Sequence, residues 1–184
     1  MSDAPLVSVI TAAYNAEAFI AETIASVQAQ TLTDWEMLVA DDASTDRTAE
    51  IVAAQAAHDP RVRLIRLERN GGVARARNAA LSEARGRFVA FLDSDDLWLP
   101  QKLERQVAFM KARDAAVSYT AFRRIDESGR QIGRLVKVPP RLTYGQLLKN
   151  TAIATLTGMA DTAKTGPLRM TEARRDDFIL WLSI

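Results

Sequence analysis

An α/β fold, a mostly parallel central sheet with helices on both faces, is what this 184-residue sequence predicts. Three observations carry that expectation. Four short runs rich in Val, Ile, Leu and Phe read as strands: LVSVITAAY (6–14), WEMLVADD (35–42), VRLIRL (62–67) and RFVAFLD (87–93). Each is followed by a segment whose apolar residues recur at three- and four-residue intervals, the period of an amphipathic helix. Strand and helix alternate throughout, and apolar strands separated by such helices form a parallel sheet covered on both sides.

Taken in order, Asn15 is placed to cap a helix whose buried face is Ile20, Ile24 and Val27. Ser44, Thr45 and Asp46 are start signals for a second helix carrying Ile51 and Val52, closed by Pro60. The third strand leaves through Asn70-Gly71-Gly72 into a helix with Val73, Ala76, Ala80 and Leu81 on one face, ended by Gly86. Pro100 sits at the first turn of a fourth helix bearing Leu103, Val107 and Met110. The pattern changes after residue 115. AAVSYTAFRRID (115–126), ESGR and QIGRLVKV (131–138) read as a hairpin with Gly129 in its turn, and TYGQLLKN (143–150) as a short helix. Residues 151–170 show no clear period, and RRDDFILWLSI (174–184) places Phe178, Trp181 and Leu182 on one helical face. The expected organisation is one domain in two parts, an α/β half over 1–115 and a second part over 116–184. The last helix reaches Ile184 without a capping signal, which reads as a C-terminal truncation.

Composition narrows the function classes. Lys and Arg number 24 against 23 Asp and Glu, with no long basic block, so a nucleic-acid partner is not expected. There is no Cys, which removes disulfides, thiolate metal sites and thiol nucleophiles and suits a reducing cytoplasm. The one histidine, His58, reads as an ordinary helix-end residue. Any metal would therefore be held by oxygen ligands, which points to Mg²⁺ or Mn²⁺. The opening MSDAPLVSVITAAYN lacks the basic start of a signal peptide, and no run approaches the length of a membrane span. Peripheral contact with a membrane is compatible with all of this.

The chemistry is concentrated in FVAFLDSDD (88–96), an apolar run ending in Asp93, Ser94, Asp95 and Asp96. Carboxylates held this close repel one another and call for a positive partner. In an open parallel sheet, ligands bind beyond the carboxyl ends of the strands. The second strand also ends in acid, Asp41-Asp42, the third in Asn-Gly-Gly and the first in Ala-Tyr-Asn, so these groups converge on one crevice. Carboxylates do not hold a phosphate directly, but they hold a divalent cation, and the cation holds a diphosphate. Glycines at 71 and 72 allow a ligand close to the backbone. Arg75 and Arg77 are either solvated or turned to the phosphates, Tyr14 suits stacking, and Asp96, like Ser44, Thr45 and Asp46, also serves as a turn or cap residue.

Three stretches, VSVITAAYNAEAFIAETIASVQAQTLTDWEMLVADDASTD, NGGVARARNAAL and GRFVAFLDSDDLWLPQKLERQ, resemble the family 2 inverting glycosyltransferases, which have the GT-A fold. The likeness runs from about Pro5 to Arg105, and RRDDFILWL resembles the family's catalytic-base segment. Asp93-Ser94-Asp95 resembles its DXD motif. The resemblance implies that Ala12, Ala13 and Tyr14 line a nucleobase pocket and that Asp42, or else Asp41, accepts a hydrogen bond from the base. It implies further that Gly72, Arg77 and Ser94 lie along the nucleotide, that Asp95 ligates Mn²⁺ or Mg²⁺ with Asp93 beside it, and that Asp177 is the general base, with Asp176 its near alternative. The implied activity is metal-dependent, inverting transfer from a nucleoside diphosphate sugar, most often a UDP-sugar, to a hydroxyl of a saccharide or lipid-linked saccharide. The implied setting is bacterial cell-surface polysaccharide or lipopolysaccharide synthesis, in the cytoplasm or at the inner face of the membrane. The rival reading is a catalytically incomplete sugar-nucleotide-binding fragment or interaction module. A phosphatase of the haloacid dehalogenase type would carry its DxD on the first strand, and a dinucleotide enzyme would carry G-x-G-x-x-G after it; this sequence does neither.

Overall fold

In the computed structural model, which describes residues 4–149, 153–172 and 176–184, the four apolar runs are strands. They are β1 (Val7–Ala13), β2 (Trp35–Asp41), β3 (Val62–Arg66) and β4 (Phe88–Phe91). β2 and β4 are buried along their whole length. The four strands pair in parallel in the order β3-β2-β1-β4. Parallel neighbours need crossover connections, supplied here by α1 (Ile20–Gln28), α2 (Thr48–His58) and α3 (Val73–Glu83). α4 (Lys102–Arg113) follows β4 and buries Leu103, Val107 and Met110, as its spacing predicts.

Strand side chains alternate between faces, and the sheet accordingly carries two apolar layers. Val7, Val9, Met37, Val39 and Phe88 pack with Ile20, Ile24, Val52 and Leu103 of α1, α2 and α4. Ile10, Leu38, Ala40, Val89 and Phe91 pack on the other face against Ala76 and Ala80 of α3.

Beyond residue 115 the hairpin is shorter than its sequence suggests. Its first residues leave it as β5 (Val117–Ser118), which joins the main sheet, and only β6 (Phe122–Ile125) and β7 (Gln131–Val136) pair as a separate ribbon. Gly129 turns that ribbon at φ +76°, in the left-handed region that favours glycine. α5 (Tyr144–Leu147) opens with a capping box between Thr143 and Gln146. The stretch without a readable period holds the strand that completes the sheet. β8 (Met159–Asp161) is fully buried and runs antiparallel to both β4 and β5, between them. After α6 (Thr162–Thr165), α7 (Asp176–Ser183) lays Leu180 and Trp181 on the α3 face of the sheet. The Trp181 ring meets Phe91 edge-on, with centroids 5.8 Å apart.

Two expected caps act differently. Asn15, at φ +50°, does not cap α1; its Oδ1 accepts from the Thr45 amide at 2.9 Å and ties together the loops after β1 and β2. Asp46, not Ser44 or Thr45, serves the start of α2, accepting from the amide and hydroxyl of Thr48 at 2.9 and 2.6 Å. α4 begins at Lys102, so Pro100 precedes the helix and is not in its first turn. At the opposite end of the sheet the buried Glu36 carboxylate clamps β1, β2 and the approach to β4. It accepts from Ser8 Oγ at 2.7 Å and from the amide, Nε and Nη2 of Arg85 at 2.8, 3.1 and 2.9 Å.

Candidate active site

The parallel strands bring the expected residues to one place. At the carboxyl ends of β1, β2 and β4, a crevice of about 550 Å³ is lined by Ala12, Ala13, Tyr14, Asp42, Gly72, Arg77, Asp93 and Ser94. Asn70, Val73 and Ala76 complete its wall. Tyr14 is half exposed, leaving its ring open to the crevice it lines.

Asp42 has a structural task here. Its two carboxylate oxygens accept from the amides of Gly71 at 2.9 Å and Gly72 at 2.8 Å, pinning the loop that starts α3. Each oxygen has a second lone pair for a ligand. Gly72 holds φ +87°, and nothing lies within 4 Å of where its Cβ would be, so the backbone conformation and not space requires glycine. Asp41 differs from its neighbour. It is fully buried, does not line the crevice, and its carboxylate has no hydrogen-bond donor among the described residues; Arg66 Nε stands 3.9 Å away.

Of the two candidate arginines, Arg77 reaches the crevice. It is buried on the first turns of α3, and its Nη2 donates to Asp93 Oδ1 at 2.5 Å. Arg75 lies along the backbone of Gly71, where a Cβ would collide with its side chain.

The acidic loop is a tight turn closed by the Asp96 amide on the Asp93 carbonyl at 3.1 Å. It is fixed from beneath by Thr23 Oγ1, which donates to the Ser94 carbonyl at 2.9 Å. Asp93 and Asp95 open onto different sides. Asp93 lines the main crevice, whereas Asp95 lines an adjoining depression of about 270 Å³ between α1 and the tip of the β6–β7 ribbon. The Asp96 carboxyl is pushed up to about 7, first by burial and then by the charges of Asp93 and Asp95. Among the described residues Asp93 pairs with Arg77 while Asp95 and Asp96 have no basic partner, so the loop carries excess negative charge.

That excess suits a cation. Among the described residues no three Asp, Glu or His side chains converge on one point as a complete cage. The exposed Asp95 carboxylate, a hard oxygen donor, nonetheless fits Mg²⁺ or Mn²⁺, because such ions commonly take only one or two protein carboxylates and fill their shell with water and substrate phosphate.

Asp177 stands in the first turn of α7. Its Oδ2 accepts from Thr155 Oγ1 at 3.0 Å, and its Oδ1 from the Phe178 amide at 2.8 Å. Thr155 opens a 3₁₀ turn (Thr155–Thr157) whose Leu156 carbonyl accepts from Trp98 Nε1 at 2.9 Å. The acidic loop and the start of α7 are thus joined through one short turn. Sequence reasoning missed Thr23, Trp98 and Thr155; only Trp98, two residues after the acidic run, carried a signal that could have found it. Asp176 begins α7, but its side chain and residues 173–175 lie outside the described residues.

The profile of glycosyl transferase family 2 matches residues 8–166. The chain is 45% identical over 181 residues to a protein of Bacillus subtilis named as the teichuronic acid biosynthesis glycosyltransferase TuaG, covering 98% of this chain and 72% of that one. It is 41% identical to WfgD of Escherichia coli, named as a UDP-Glc:α-D-GlcNAc-diphosphoundecaprenol β-1,3-glucosyltransferase, covering 97% of this chain and 69% of that one. Among solved structures, residues 1–349 of S. aureus TarS in complex with UDP superpose with a TM-score of 0.78 at 28% identity. That match covers 95% of this chain and 53% of the TarS chain, so the present chain spans about half of that structure.

Proposed function

Because the chain belongs to glycosyl transferase family 2, we propose that it moves a sugar, with inversion, from a UDP-sugar to a hydroxyl of a saccharide carried on a lipid diphosphate, in the assembly of a bacterial cell-surface polysaccharide. The observation that carries the reading is the shared crevice of Tyr14, Asp42, Gly72, Arg77, Asp93 and Ser94. The UDP bound by TarS and the UDP-glucose and lipid-diphosphate substrates in the name of WfgD support it.

In this reading Tyr14 packs on the base, and the Asp42 carboxylate accepts from it while holding the Gly71–Gly72 loop. Asp95, with Asp93, would hold Mn²⁺ or Mg²⁺, and the bound ion would neutralise charge on the departing diphosphate. Arg77 orients Asp93 and adds a fixed positive charge beside the phosphates. The acceptor oxygen bonds to the anomeric carbon from the face opposite the diphosphate while the bond from that carbon to the diphosphate oxygen breaks. Its proton passes to the carboxylate of Asp177, the general base, with Asp176 as the alternative. Thr155 keeps that carboxylate oriented. No helix among the described residues is long and apolar enough to cross a membrane, and we place the protein at the cytoplasmic face of the bilayer, beside a lipid-linked acceptor.

Calorimetry with UDP, GDP and dTDP, in Mn²⁺ and in EDTA, tests the reading. UDP is expected to bind only with metal, and Asp95→Ala to abolish that binding. Indifference to all three nucleotides would sink it. UDP binding without turnover of UDP-glucose and a lipid-linked acceptor would instead favour a nucleotide-binding module.

A further inference from the structure

Charge is unevenly distributed along this chain. Residues 119–149 contain seven of the 24 Lys and Arg but two of the 23 Asp and Glu, so this stretch carries net +5 while the remaining 153 residues carry net −4. The same stretch exposes five large apolar side chains: Ile125, Ile132, Leu135, Tyr144 at 64% and Leu148 at 52%. Among the described residues its β6–β7 ribbon pairs with no other strand.

The ribbon separates these side chains by face. Arg124 sits opposite Ile132, so these two share a face; the exposed Arg134 follows within an irregularity of β7, where Gly133 takes φ +72°. Ile125, opposite Gln131, points the other way and lines the depression that also contains Asp95. Arg123, Arg124, Arg134, Lys137 and Arg141 are exposed and have no ion-pair partner among the described residues; within the ribbon only Arg130 is paired, with Asp126 at 3.1 Å. Unpaired cations interleaved with exposed aliphatic and aromatic side chains match the interface of an anionic bilayer, which offers phosphate charge above and hydrocarbon below. A soluble polyanion would use the charges and leave Ile132 without a role.

We propose that the Arg124–Ile132 face of the ribbon, with the exposed Arg134 and the segment following it, docks on an anionic membrane surface. The other face of the ribbon then borders the acidic loop, so docking sets the site beside the headgroup layer. This deepens the proposed use of a lipid-linked acceptor by assigning the surface that brings the protein to it.

Flotation of the 184-residue chain with vesicles of phosphatidylcholine, with and without phosphatidylglycerol, tests the assignment. Binding is expected only with phosphatidylglycerol and is expected to weaken at high salt. R124Q/R134Q is expected to weaken it about 30-fold, from two surface charges, and I132S about tenfold, from one inserted aliphatic side chain. Unfolding temperature and UDP affinity, read on the same variants, are expected to stay at wild-type values. Absent binding to either vesicle, or binding that neither variant changes, would overturn the docking face. So would loss in R124Q/R134Q alone with equal binding to soluble polyphosphate, which would mark a polyanion site. Loss of UDP binding in the unaltered chain would instead strike the glycosyltransferase reading and leave the docking face standing.

Discussion

Gly158→Ala tests how closely α7 must fit. Gly158 immediately precedes β8 at φ −77°, which alanine adopts without strain, so the effect is steric. A Cβ there would lie inside van der Waals contact of three atoms of the Trp181 ring. The ring cannot retreat easily, being 4% exposed and set edge-on against Phe91. Restoring ordinary contact needs a displacement on the order of 1 Å, and overpacking of this kind costs about 1–3 kcal/mol. At this chain length that lowers the unfolding temperature by roughly 2–12 °C. Trp181 and Asp177 lie four residues apart on one face of α7, so the displacement passes to the carboxylate. A misplacement of about 1 Å in a catalytic group lowers turnover roughly 100-fold. The assay is transfer from UDP-glucose to a lipid-linked acceptor, with UDP affinity by calorimetry and melting by fluorescence. kcat and Tm are expected to fall while UDP affinity holds, because the crevice proposed to take the nucleotide is not lined by α7. Wild-type kcat and Tm together, or a loss of UDP affinity as large as that of kcat, would refute the reasoning.

Three further outcomes are expected. Thr155→Val removes the hydroxyl that donates to Asp177; kcat should fall about tenfold, the worth of one hydrogen bond, with UDP affinity unchanged in the same titration. Lys102 buries its ammonium 3.6 Å from the Trp98 ring centroid with no hydrogen-bond acceptor among the described residues, and burial holds its pKa well below 10.5. Stability should therefore rise with pH up to that value, and Lys102→Met should raise stability at neutral pH by about 1–3 kcal/mol and flatten the slope; destabilisation in urea melts would mean that the contact with the ring outweighs burial. Burial pushes Glu36 up, but the Arg85 amide, the Ser8 hydroxyl and the Arg85 guanidinium together hold its pKa below 4.5. Its stabilisation is thus present above 4.5 and lost as pH falls through the lower folded value, and Glu36→Gln should be less stable at pH 7 with a shallower acid limb in thermal melts.

What could be read from sequence alone follows a physical division. β1 to β4 and their helices were legible because each buries a long apolar face, and burial writes a period into the chain. β8 was not, because its three residues are shorter than any period and become a strand only between β4 and β5. β5 was taken into the ribbon for the same reason. The convergence of Tyr14, Asp42, Arg77 and Asp93 on one crevice was legible because parallel topology itself sends every strand end to one edge. The contact of Thr155 with Asp177 depends on a turn and a helix brought together by tertiary packing, and no local pattern announces it. Asn15 shows the converse: its local chemistry suggested a cap, and tertiary structure gave the same oxygen to Thr45.

The position of β8 bears on how the chain is made. A ribosome releases β4 and β5 well before residues 159–161, and neither strand has its final neighbour until those residues emerge. Through that interval β4 presents an open parallel-sheet edge, a ready template for pairing with another nascent chain. Synthesis stalled before Met159 would leave that edge uncovered.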